Sequence, residues 1–518
     1  MFEAQRLWRD RPFKFGEAFR YQYVISREQE NIPAFNAWSG QSWNVFSGKD
    51  LPVTTLFDVN GIQIGRLLGI AVGPEGLIGG DEARLPLDSG TPGFWDGFER
   101  FLTDVAGRYG FLLEVNGTAR FYTDPVGMIG CVHDPEGRRV AASPLLVLQR
   151  PVVANPKYDF DIIEKHGGKI SLFHTVDAHV RRLNPNFYLD LDRFEEIRFW
   201  PRDEDFSVAP QDVLATYDEI SARASFNIGE IARVHRAALP VSGGQDSRLL
   251  LAFSKPHLGR IDQVYTHINN YATRRDAVIG GALCDRLDAP HEAHDRREFS
   301  LPRWEVKQSE RFFNMTLGVK AALPKEYSNG AVTGVKDGSV ILRGHQTDLL
   351  RAVYVFRPKE FWHEPDWQIA RLLIVPRNMF NDDVAERFRP DFQAWQATLP
   401  ENAREKAADF MFLEIYYNAT VGAMFPALWR NFYISPFNSR RLISLSLKFD
   451  EAVRRQSHPV FDLVERFCPE LSSVPYDFEL HADVALINDR AHCDEATAAR
   501  VDATRQRLEA YRMSRNGV

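Results

Sequence analysis

The sequence predicts an α/β protein in two parts: a sheet-rich half over residues 1–205 and a parallel-sheet half over 206–518. Three observations lead there. The first 200 residues hold short β-branched or aromatic runs bounded by Gly, Asn, Asp and Pro, which read as strands. A polar, proline-containing connector, FWPRDEDFSVAPQ (199–211), marks a change of character. Beyond it strand-like and helix-like segments alternate, the pattern of a parallel sheet with helices on both faces.

Taken in order, FWDGFERFLTDVAGRYG (94–110) reads as a helix among the strands of the first half. GFLLEVNG (110–117) and TARFYTDP (118–125) form a hairpin turning at Asn116-Gly117, the dipeptide a type I′ turn prefers. NFYLDLD (186–192) is a further strand. DVLATYDEISARASFNIGEIARVH (212–235) carries apolar residues at helical spacing. RAALPVS is a strand, followed by a helix from Asp246, a strand QVYTHI (263–268), a helix over 275–288 and a strand SVILRG (339–344). Residues 360–460 read as mainly helical, and DEATAARVDATRQRLEAYRMS (494–514) as a charged amphipathic helix.

Composition narrows the function classes. Lys and Arg total 63 against 70 Asp and Glu, a net charge of −7, which argues against a protein that coats nucleic acid. The four cysteines, Cys131, Cys284, Cys468 and Cys493, form no C-x-x-C pair and read as reduced, buried thiols of a cytoplasmic protein. No uncharged run approaches the roughly 18 residues needed to span a bilayer, so no membrane partner is expected. The N-terminus mixes both charge signs and does not read as a secretory signal.

The chemistry concentrates in LPVSGGQDSRLLLAFS (239–254). A buried strand ends at Val241, and a small-residue loop, Ser242-Gly243-Gly244, leads into a helix. Glycine allows torsions and close approach that a side chain forbids. The helix start directs free N–H groups and about half a positive charge at the loop, which makes a nest for phosphate. Ser242 and Ser247 add hydroxyl donors. Asp246 is the odd member, since a carboxylate repels phosphate; it makes sense as a ligand of a divalent cation. HEAHD (291–295) tempts a metal reading, but i and i+3 in a strand face opposite ways, so it reads as a sheet-edge cluster.

The loop lacks the lysine of a Walker motif. It resembles S-G-G-x-D-S, the pyrophosphate loop of the ATP pyrophosphatases (the PP-loop family). Three later segments resemble the asparagine synthetase branch of that family. In RRDAVIGGALCDRLDAPHEAH (274–294) the likeness puts Arg275 and Asp276 beside the nucleotide. In LRGHQTDLLRA (342–352) it makes Gly344 and Asp348 a second phosphate-binding loop. FLEIYYNATVGAMFPALWRNFYISPFNSRRLISLSL (412–447) resembles the late helix and P-F-x-x-R-R-L segment. The resemblance implies a doubly wound, adenine nucleotide α-hydrolase-like domain over 206–518. It would bind ATP through Val241, Ser242, Gly243, Gly244, Asp246, Ser247, His267, Asp276 and Gly344, and Mg²⁺ through Asp246 and Asp348.

The first half extends the likeness. GRYGFLLEVNGTARFYTDPVGMIGCV (107–132) and LNPNFYLDLDRFEEIRFW (183–200) look like the glutaminase domain of asparagine synthetases. That implies an Ntn-hydrolase-like αββα sandwich over 1–205. Such a domain works through an N-terminal cysteine. Here residue 2 is Phe2 and the first cysteine is Cys131, so the half reads as a degenerate scaffold without glutamine hydrolysis. β-Lactam synthetases and lasso-peptide cyclases share that loss. The likeness therefore implies a ligase that adenylates a carboxylate for attack by an amine, on a small-molecule or peptide substrate. A lactam or macrolactam product, a homodimer and a pathway partner protein all remain compatible with it.

Two departures bear on mechanism. Leu349 stands where a glutamate follows the second-loop aspartate, and ELSSVPYDFEL (470–480) lacks the family's late lysine. Tyr354, Arg343 or Arg351 are the replacements the sequence offers, with Asp246, Asp348, Tyr354 and Arg351 as the catalytic set. A tRNA-modifying PP-loop enzyme and a non-catalytic binding or assembly protein of the same fold are the alternatives.

Overall fold

The computed structural model describes residues 1–8, 14–166, 169–355, 365–373 and 382–479. It is a mixed α/β structure. Among the described residues its first half carries an antiparallel sheet of six strands and a mixed sheet of eight, in which Val53–Phe57 runs parallel to Glu82–Arg84, and its second half a five-stranded parallel sheet. The amphipathic helix expected over 494–514 and Cys493 lie outside the described residues, as do parts of the segment 360–460.

Alternation builds the first half. Tyr23 and Ile25 face one way, toward Leu112 and Phe121 of the eight-stranded sheet, while Val24 faces the opposite way, toward Phe2, Trp8 and Leu146. In the strand Ala106–Val115, Leu112 enters the layer between the sheets, and Phe111 and Leu113 face the helix Phe94–Asp104. Phe98 of that helix meets Phe111 and Tyr122 with ring centroids 5.5 and 5.1 Å away. The layering is helix, sheet, sheet, helix. The hairpin turns where expected, with Asn116 at φ 52° and Gly117 at φ 77°. The helix is shorter than the sequence suggests. Val105–Gly110 leaves it, because Ala106–Val115 pairs along its length with Gln63–Gly73 and that ladder outweighs the helical spacing.

The parallel strands are Ala237–Pro240, Ile261–Ile268, Glu292–Asp295, Val340–Leu342 and Phe432–Ile434. In chain order they lie third, second, first, fourth, fifth across the sheet. The helices Gln245–Ser254 and Tyr271–Asp285, which follow the first two strands, contribute Leu249 and Ile279 to the core that holds Leu239. Helices that precede the fourth and fifth strands contribute Phe313 and Phe410 to the core that holds Ala238. Both faces are thus covered, and the winding reverses between the first and fourth strands. In such sheets ligands bind outside the carboxyl ends of the strands at that reversal. The long helix Val213–Val234 buries Tyr217, Ile220, Ala224, Ile228 and Ile231 at spacings of three and four.

A buried polar seam joins the halves. Arg440 of the P-F-x-x-R-R-L segment is fully buried. It donates to the carbonyls of Thr123 (3.1 Å) and Pro185 (2.8 Å) and to Asn186 Oδ1 (3.1 Å). Asn438 donates to the Gly107 carbonyl and to Asp124 Oδ1, both at 2.7 Å. Glu414, fully buried, receives Arg198 at 2.7 and 2.8 Å and both Asn184 and Asn186 at 3.0 Å. Removing one partner of such a group leaves a buried charge or donor uncompensated.

Candidate functional site

The first loop is folded by its own hydroxyls. Val241 N–H donates to the Tyr265 carbonyl (2.8 Å) and ends the first parallel strand. Ser242 N–H donates to Ser247 Oγ (3.1 Å), the two serine hydroxyls lie 2.8 Å apart, and Gly244 N–H reaches Ser242 Oγ at 3.3 Å. Neither glycine adopts a left-handed conformation, which corrects the expectation of special torsions. The requirement at Gly243 is close approach: a Cβ there would lie 2.5 Å from Ile279 Cδ1 and 2.9 Å from Asp477 Cβ. Its N–H donates to Asp276 Oδ1 (3.1 Å), which explains why an aspartate on the Tyr271–Asp285 helix belongs to the loop.

The second loop presses against the first. A Cβ on Gly344 would lie 2.9 Å from the Asp246 carbonyl oxygen. Gln346 and Ala352, at φ 71° and 46°, bracket the short turn Thr347–Arg351. Left-handed non-glycine residues cost about 1–3 kcal/mol each and persist only where surroundings impose them. The imposed arrangement is an ionic cluster. Arg351 Nη2 lies 2.6 Å from Asp246 Oδ2 and 2.6 Å from Asp348 Oδ1. Thr347 Oγ1 donates to Asp246 Oδ1 (2.8 Å), and the Tyr417 hydroxyl donates to Asp348 Oδ2.

Both loops open on a cleft of about 490 Å³ at the reversal of the sheet. Its walls include Val241, Ser242, Gly244, Asp246, Ser247, His267, Asp276, Gly344 and Asp348, so nine expected residues meet in one place. Gly243 packs behind them. Arg275, one residue from Asp276, does not line the cleft. Tyr354 is a correction: it is buried against Phe412 and Tyr416, in the apolar core and away from the cleft. The tyrosine that reaches the carboxylates is Tyr417. Tyr417, Thr347 and His345 lie inside the quoted segments without being marked by them, whereas Asn269 and Thr273 lie outside those segments and are brought to the cleft by packing.

Electrostatics in the cleft are shaped by burial. It pushes Asp246 up, and the Asp348 carboxylate adds to that while Arg351 opposes it. Burial lowers His267 to about 3, helped by His294 and Arg343, and lowers His345 to about 3, helped by Arg343. Both imidazoles are therefore neutral at pH 7. Their Nδ1 atoms are buried and make no hydrogen bond among the described residues. Arg343, the residue after the fourth parallel strand, also lines the cleft.

The expected metal pair, Asp246 and Asp348, is bridged by the Arg351 guanidinium. Hard cations take oxygen ligands. Here all four carboxylate oxygens of Asp246 and Asp348 are engaged by Arg351, Thr347 and Tyr417. The HEAHD segment forms the edge strand of the parallel sheet, as expected. His294 Nε2 pairs with Glu292 (3.1 Å) and His291 Nε2 with Thr266 Oγ1 (2.9 Å). Among the described residues no helix is long and apolar enough to cross a membrane.

Compared with models of protein families and with curated proteins, the chain matches none.

Proposed function

We propose that the chain is an ATP-dependent amide-bond synthetase of the asparagine synthetase-like kind, forming AMP and pyrophosphate and using no glutamine. One observation carries the reading: the Ser242–Ser247 loop and the Gly344–Asp348 loop meet at the sheet reversal around a single polar cleft. In this reading the first half is a degenerate Ntn-hydrolase-like domain and the second a PP-loop domain.

The Ser242 and Ser247 hydroxyls and the N–H groups at the start of the Gln245–Ser254 helix hold the β and γ phosphates. A substrate carboxylate oxygen attacks the α-phosphorus; the α–β bridging bond breaks and pyrophosphate leaves. An amine nitrogen then attacks the acyl carbon, loses its proton and displaces AMP. Arg343 attracts the anionic substrate. The neutral His267 and His345 add no competing charge. The protein's contribution is positioning and fixed charge.

ATP–pyrophosphate exchange with a panel of carboxylic and amino acids tests this. Exchange that depends on one acid class, with AMP as product, supports it. In Asp246→Asn it should fall at least about a hundredfold, roughly 3 kcal/mol of transition-state stabilisation. ADP as the main product would overturn it. Nucleotide binding without exchange across the panel would favour a non-catalytic binding protein, the reading that the closed ionic cluster at Asp246 supports. A tRNA-modifying role would require RNA to bind the cleft.

A further inference from the structure

We propose that Arg351 is a resident cation that takes the position of a divalent metal ion between Asp246 and Asp348. The inference rests on the ionic cluster itself and holds whether or not the cleft takes a nucleotide. One guanidinium nitrogen, Nη2, bridges the two carboxylates at 2.6 Å each, which is the bridging a metal ion would perform. The remaining carboxylate oxygens each accept a hydrogen bond, from Thr347 and from Tyr417, so a second cation would have to compete with those donors. Arg351 Nη1 is tied to Gln245 Oε1 at 3.2 Å, and Gln245 Oε1 also receives Ser457 Oγ at 3.3 Å, which fixes the guanidinium from its other side.

Charge and backbone agree with permanence. Two carboxylates and one guanidinium leave a net charge of about −1 at this position, against −2 for the bare pair. The residue after Asp348 is Leu349, buried in the core, so no third carboxylate is offered there to a metal ion. Arginine does not deprotonate in proteins, so the cation cannot be switched off by pH. The two left-handed residues, Gln346 and Ala352, flank the turn that carries Asp348 and Arg351, so this segment is held in a conformation most side chains avoid. The consequence is a cleft-facing cluster whose carboxylates are compensated by the chain itself. Any magnesium would then arrive on the phosphates of a nucleotide rather than on this pair.

The test uses Mn²⁺ alone as probe, with the full chain and no nucleotide, and reads bound Mn²⁺ by electron paramagnetic resonance. The wild-type protein should show no binding that Asp348→Asn removes. Arg351→Gln should open the pair and raise Mn²⁺ affinity at least about tenfold, and Asp348→Asn in that background should cancel the gain. Arg351→Lys, which keeps the charge, should stay near wild type. Wild-type Mn²⁺ binding that Asp348→Asn abolishes would overturn the proposal, and this needs only the wild-type fold and one carboxamide variant. Arg351→Gln with affinity within twofold of wild type would overturn it as well.

Discussion

Two places in the molecule hold a position that the sequence marks for chemistry, and they differ in what surrounds it. At Phe2, in the first half, the ring is 1% exposed among Ala4, Trp8, Phe15, Phe19 and Leu146. Its N–H donates to Gln5 Oε1 (2.8 Å) and the next N–H to the Leu148 carbonyl (2.7 Å). Cys131 is buried in the core, and burial pushes its thiol up, away from the thiolate a nucleophile needs. At Ser242–Asp348, in the second half, hydroxyls, carboxylates and the Arg343 guanidinium line a cleft, and two buried imidazole nitrogens in its wall have no hydrogen-bond partner among the described residues. Packing alone keeps the first region, whereas the second keeps polar groups that packing does not require.

Deleting residues 1–205 takes away the partners of Arg440, Asn438 and Glu414 and opens both shared apolar cores. The remaining fragment should aggregate or lose all nucleotide binding; light scattering and a binding assay read this. A soluble fragment that binds as the whole chain does would mean the first region supports nothing in the second.

Phe2→Ala sharpens the contrast between the two regions. A buried phenylalanine truncated to alanine costs about 3–5 kcal/mol. Denaturant unfolding should show that loss while nucleotide affinity in the folded protein stays unchanged. A fall in affinity without a fall in stability would place Phe2 in the chemistry.

A smaller effect comes from pH. His267 and His345 titrate near 3 in the folded chain and near 6.5 when unfolded, so between these values the unfolded state binds more protons. Stability contributed by the cleft is therefore complete above about pH 6.5 and declines as pH falls toward 3. The urea midpoint should drop between pH 7.5 and 5, and less so in His267→Gln. An unchanged slope in that variant would show that the imidazole is not held neutral. The smallest expectation is a null: glutamine with the protein, with or without ATP, should yield no glutamate above a no-enzyme control, and measurable release would contradict the reading of Phe2.

Much of the second region was legible because its signals are local. The strand, the Ser-Gly-Gly turn and the helix start follow from consecutive residues, and Asp276, Gly344 and Asp348 from the resemblance of the segments that carry them. What was not legible depends on packing across distance. Tyr417 reaches Asp348 from 69 positions away, and Arg351 turns back on Asp246 from 105. Arg440, which the sequence places in the second half, bolts the two halves together. Helical spacing in 94–110 lost to a strand ladder that only the partner strand defines.

The proposed function requires the cleft between the two loops to take ATP. Calorimetric titration with α,β-methylene-ATP tests it without knowledge of the acyl substrate. Wild-type and Phe2→Ala protein should bind one equivalent with a Kd below about 1 mM, and Ser247→Glu, which puts a negative charge inside the first loop, should weaken binding at least about tenfold. No binding to the wild type, or equal binding to Ser247→Glu, would contradict it.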